Sequence, residues 1–100
     1  MKKILLAASV LALSLNAQAG TLKADSVICL SKGLAKSYNA AVEKDKKERI
    51  NFLLKTGCKV QTKEVQADLV EASEEGLTKV FMHASKDSMN VWTNAANFVG

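Results

Sequence analysis

Residues able to carry chemistry are scarce in this chain, and each scarcity closes a class of function. His83 is the only histidine, and Cys29 and Cys58 are the only cysteines. No tight cluster of further ligands accompanies the cysteines, so no metal site is expected. There is no Cys-x-x-Cys, which argues against a redox-active pair. No glycine-rich phosphate loop and no Gly-x-Ser-x-Gly occurs. His83 has no Ser or Cys nucleophile near it in the sequence, so a surface or rim side chain is expected rather than a general base. Glu74 and Glu75 are neighbours on a turn, which rarely face one cleft; they are expected to be solvated rather than an acid/base couple. No enzymatic activity and no cofactor are expected. There is no proline, and the aromatics are few: Tyr38, Phe52, Phe81, Trp92 and Phe98. The basic residues are not interleaved with them, so nucleic acid is not an expected partner.

Long apolar runs are equally scarce. One stands at the N-terminus, from Ile4 to Leu15, behind the basic start Met1-Lys2-Lys3. It ends in Asn16-Ala17-Gln18-Ala19, whose small residues Ala17 and Ala19 form the A-x-A pattern of a cleavable secretory signal. The run falls short of the roughly 20 apolar residues that cross a bilayer, and no second such run follows. An uncleaved signal anchor is the rival, and the A-x-A end argues against it. No cysteine follows the cleavage point, so no lipid anchor is expected there. Residues 1–19 are thus expected to be a signal peptide. Residues 20–100 are expected to form one small domain, exported into a bacterial periplasm without stable membrane insertion.

Export changes the meaning of the cysteines. In an oxidising compartment an isolated pair predicts a disulfide between Cys29 and Cys58. Closing a loop of about 30 residues contributes roughly 3.5 kcal/mol in the chain-entropy account. That is a large share of what so small a core supplies.

Charge is unevenly spread. Removing Lys2 and Lys3 from the 14 Lys and Arg leaves 12 against 10 Asp and Glu, a net +2. From Gly20 to Lys63 there are ten basic and four acidic residues; from Glu64 to Gly100 there are two and six. A basic half that leans on an anionic partner and a merely solvated helix face are both compatible with this asymmetry.

Taken in order, Thr21 to Ile28 has mixed character and is expected to be a lead-in. Ser31 is placed to cap a helix through Leu34, Tyr38, Ala41 and Val42, which recur at helical spacing. The polar run from Glu43 to Lys47 ends or bends it. Asp45, with Glu48 three residues on, predicts a second N-cap. Ile50, Leu53 and Leu54 give that helix an apolar stripe. Lys55 suits its last turn, and Gly57 a left-handed terminus. About 29–57 is therefore expected to be a helical hairpin. About 58–98 is expected to be β: Val60; Val65, Ala67 and Leu69 at a period of two; a turn at Ser73 to Gly76; Leu77 to Ala84; a polar loop from Ser85 to Asn90; Val91 to Thr93; then one helical turn to Phe98. In the second long strand Thr78, Val80 and Met82 share one face, and Phe81 and His83 the other. The predicted class is α+β, a helical hairpin packed on a small antiparallel barrel or curled sheet.

From Lys59 to Phe98 this order resembles the bacterial Src-homology-3-like (SH3-like) barrel. The resemblance is carried by the acidic turn, Gly76-Leu77-Thr78-Lys79-Val80-Phe81, the strand Val91-Trp92-Thr93, and the closing turn with Asn97 and Phe98. It departs at Val91, where the family usually has glycine. A cysteine-bridged helical segment ahead of such a barrel resembles small exported bacterial proteins of unassigned role. The resemblance implies a binding module for cell-wall peptides or protein partners. Trp92, Phe81 and His83 are the expected binding residues, although a lone tryptophan in so small a domain also suits the core. The expected function is a non-enzymatic periplasmic or secreted module acting on an envelope protein or the cell wall, an inhibitor among the options. The alternative is a membrane-surface or envelope-stress protein whose basic helices touch anionic lipid.

Overall fold

The computed structural model describes residues 18–72, 75–84 and 88–100. The expected signal peptide up to residue 17, the start of the acidic turn (73–74) and the first part of the polar loop (85–87) lie outside the described residues. The class is α+β. Strands β1 (Gln18–Leu22) and β2 (Ser26–Cys29) precede helices α1 (Lys32–Glu43) and α2 (Lys47–Thr56). Strands β3 (Cys58–Gln61), β4 (Val65–Ala72), β5 (Leu77–His83) and β6 (Ser88–Asn94) follow, then a 3₁₀ turn (Ala95–Asn97) and β7 (Phe98–Val99). All pairings are antiparallel in one curled sheet of order β3-β2-β6-β5-β4-β1-β7.

The expectation of an N-terminal helical hairpin is corrected here: two strands come first, and the helices are an insertion between the neighbours β2 and β3. Of the expected lead-in, Thr21 and Leu22 end β1, Lys23 to Asp25 form an exposed turn, and Ser26 to Ile28 are strand, buried from both sides. Ile28 joins the core formed by Leu22, Ala67, Val80, Met82 and Val91 on the inner face. Val27 and Cys29 face the other way, into a cluster with Ala35, Leu53, Cys58 and Leu77, packed by Leu34, Tyr38, Leu54 and Trp92. The helices thus cover the outer face at one end of the sheet. The curled inner face holds the second apolar layer, and alternate residues of one strand serve both layers.

The disulfide joins Cys29 and Cys58, whose Cα atoms are 4.0 Å apart. They stand directly opposite each other on β2 and β3. The bridge therefore closes the helical insertion at its base, where it leaves and re-enters the sheet.

Local signals hold at some helix ends and fail at others. Ser31 caps α1 as expected, its Oγ accepting from the Leu34 N–H at 3.1 Å. Asp45 does not cap α2; that position is Lys46, with no side-chain cap. Asp45 instead adopts φ 53° and turns the chain between the helices. Left-handed geometry is costly for most residues but accessible to Asp. Gly57 ends α2 at φ −130°, not left-handed. It is glycine for lack of space: a Cβ there would strike Leu34 Cδ1 and lie 3.2 Å from Cδ2. Residues Ser88 to Asn90, expected in a loop, extend β6 and pair with β5 in continuous register from Ser88–His83 to Asn94–Leu77.

Buried polar groups are satisfied where the sheet bends. Thr78 Oγ1 donates to the Glu71 carbonyl at 2.8 Å, beside the register shift between Leu69 and Glu71. Thr93 Oγ1 donates to the Val27 carbonyl at 2.8 Å and accepts from Asn97 Nδ2 at 2.9 Å. With Thr93 almost fully buried, these bonds remove what would be a desolvation cost.

Candidate functional site

The three residues singled out in the sequence share the outer face of β5 and β6, in different surroundings. Trp92 is half-buried and packs into the cluster beneath the helices. Lys32 Nζ lies 5.8 Å from its ring centroid, within cation–π range. Phe81 and His83 lie further along β5, past the helices, with rings 5.0 Å apart and nearly perpendicular. His83 Nε2 is 2.9 Å from Asp68 Oδ2 on β4. The register also places Ser88 opposite His83. No hydrogen bond joins Ser88 to the histidine among the described residues, so the three side chains form no linked relay. Among the described residues no group of three or more potential metal ligands converges.

Glu75 is a tie rather than a free turn residue. Its carboxylate meets Lys36 Nζ at 2.8 Å and Lys32 Nζ at 3.2 Å, joining the β4–β5 turn to α1. Hydrogen bonds from Lys36 and then Lys32 hold its carboxyl below the ordinary carboxylate range.

An apolar concavity lies on the opposite, inner face. β2 and β6 pair only at Cys29–Trp92. To one side the Thr93–Val27 bond holds them together. To the other they part, and an apolar cleft of about 240 Å³ opens between Leu30 and the Met89–Val91 stretch. Ile28, Met82, Ala84, Met89 and Val91 provide its apolar walls. Among the described residues Lys59 is the one charged side chain lining it, with Gln61 beside it on β3. The volume falls below the roughly 300–1,000 Å³ usual for small-molecule pockets. It suits inserted side chains better than a whole cofactor, and methionine walls adapt to irregular shapes.

Sequence reasoning did not find this cleft. Its residues come from four strands adjacent only in the fold, and none carries a recognisable motif. The single local signal was the inward alternation of Val80 and Met82. No protein-family model, no curated protein and no solved structure matches this chain.

Proposed function

We propose that this chain is a non-enzymatic binding module of the bacterial envelope, acting on a protein or on the cell wall after export. The observation that supports it is the inner cleft, a preformed apolar concavity with Lys59 at its wall, in a domain tied by a disulfide. A rigid bridged scaffold that presents a small apolar concavity also suits an inhibitor of an envelope enzyme. The curled sheet, the Gly76 entry to β5, and the Trp92 strand running into a 3₁₀ turn agree with an SH3-like barrel. The strands β1 and β2 add to the part covered by that resemblance. Cleavage before Gly20 would keep the pairs Gly20–Ala67, Thr21–Gln66 and Leu22–Val65 of β1.

The test is capture from periplasmic extract, with sedimentation on peptidoglycan beside it, using the chain and its Met89→Lys variant. Met89 lines the cleft yet is 37% exposed, so a lysine there blocks the cleft without entering the core. Loss of capture in the variant is expected. Undiminished binding by a folded variant would remove the cleft from the function.

Exposed groups at the α1–α2 corner favour a second use of the surface. Lys44, Lys46, Lys47 and Arg49 are exposed there, and Val42 and Phe52 are exposed nearby. Glu43, Asp45 and Glu48 are exposed among them, so the corner is only weakly basic, a net +1, and contact with anionic lipid would rest on its lysines with the apolar tips and fall as salt rises. Flotation with phosphatidylglycerol vesicles at low and high salt tests it.

A further inference from the structure

The cleft is bounded on one side by β3, and β3 is an edge of the sheet. Its ladder with β2 fixes which backbone groups are free. The Leu30 N–H donates to the Gly57 carbonyl at 2.9 Å, and the Asp25 N–H to the Gln61 carbonyl at 2.7 Å. In an antiparallel pair alternate residues bond to the partner strand. Gly57, Lys59 and Gln61 therefore bond towards β2, whereas the N–H and C=O groups of Cys58 and Val60 point away from the sheet. Val60 is 38% exposed, and Leu30, at the cleft wall, is 61% exposed. The opposite edge, β7, has only two residues.

We infer that β3 accepts one further strand, an extended segment of a partner protein with an apolar residue for the methionine-lined cleft and an acidic residue for Lys59. Strand addition uses main-chain bonds for affinity and alternate side chains for specificity. The outward groups of the exposed Val60 supply the former, whereas Cys58 is buried beneath the helices. The cleft on the inner side supplies a socket for every second residue of the incoming strand. Charge decides which strand fits. Lys59 lines the cleft, Lys63 follows β3, and both are exposed. A second copy pairing antiparallel through β3 about Gln61 would set Lys59 of each chain against Lys63 of the other, and lysine on an edge opposes such pairing. An acidic segment neutralises them. This rests on the cleft being the binding face and names the chemistry of what it binds.

The experiment is selection of random decapeptides displayed on phage against the folded chain, followed by affinity measurement on Val60→Pro and Met89→Lys. Proline at Val60 removes only an N–H that points away from β2, a place where edge strands tolerate it. Enriched peptides are expected to alternate apolar and acidic residues. Binding is expected to weaken about tenfold in Val60→Pro, the scale of one lost main-chain bond with its displaced neighbours. The Val60 amide is expected to exchange rapidly in the free chain and to be protected with peptide bound, a readout that needs no variant. The inference is overturned if no peptide is enriched, if enriched peptides lack acidic alternation, if Val60→Pro binds them equally, or if the chain dimerises through β3 instead. Capture of envelope partners lost in Met89→Lys but unchanged in Val60→Pro would leave the binding module standing and remove the added strand.

Discussion

Gly57 is the position where space and backbone freedom make opposite predictions. Its φ of −130° is open to any L-residue, so alanine meets no backbone strain there. If the backbone were all that mattered, Gly57→Ala would stabilise by about 0.4–1 kcal/mol, because alanine restricts the unfolded chain. The fold opposes this. The new Cβ would strike Leu34 Cδ1, with Cδ2 at 3.2 Å and Cγ at 3.3 Å. Leu34 is half-buried against the cluster of Cys29, Ala35, Leu53, Cys58 and Leu77, so its side chain must shift against those neighbours to make room. Overpacking of this kind costs about 1–3 kcal/mol. The net expectation is a loss of roughly 0–2.5 kcal/mol after the entropic gain. Leu34→Ala alone should cost about 2 kcal/mol, at the low end for leucine truncation because the side chain is only half-buried. The double variant should be more stable than the sum of the two losses by about 1–2 kcal/mol, since the smaller side chain vacates the space the new methyl needs. Urea denaturation of the four proteins, with unchanged slopes, measures this coupling. Strictly additive losses, or a stabilising Gly57→Ala, would refute the steric account of this glycine.

Other expectations follow from the same geometry. Cys29→Ala with Cys58→Ala should lower stability by about 3–4 kcal/mol by urea denaturation, from a closed loop with a sequence separation of 29; the serine pair should lose more, because the two sites are only 2% and 5% exposed. Asp45→Ser should cost about 1 kcal/mol while Asp45→Gly costs nothing, because the site needs a left-handed backbone and not a capping hydroxyl; a harmless serine beside a destabilising glycine in the melting curves would restore the N-cap. Glu75 has a lowered folded pKa, so its contribution is complete above the unfolded carboxylate value and is lost as pH falls through the folded one. Glu75→Gln should flatten the acid limb of stability against pH in low salt, and a limb identical to that of the parent chain would show that the lysine contacts add nothing.

The sequence by itself determined much of this protein. An isolated cysteine pair admits one intramolecular bridge, and that bridge is present. The Ser31 cap, the break between helices at Glu43 to Lys47, and the inward Thr78, Val80 and Met82 were legible because each depends on neighbours a few residues away. Tertiary structure decided the rest. β2 was hidden because Ile28 serves the inner core while Val27 and Cys29 serve the layer under the helices, and burial on both faces erases the period of two. Asp45 matched a capping pattern, yet the turn between two packed helices required a left-handed residue one position before the helix began. Gly57 satisfied a local rule and was held by a side chain 23 positions earlier in the chain, Leu34. The cleft was out of reach for the same reason on a larger scale. Its walls come from β3, β2, β6 and β5, brought side by side by a strand order that no local pattern encodes, and it opens where two of those strands stop pairing.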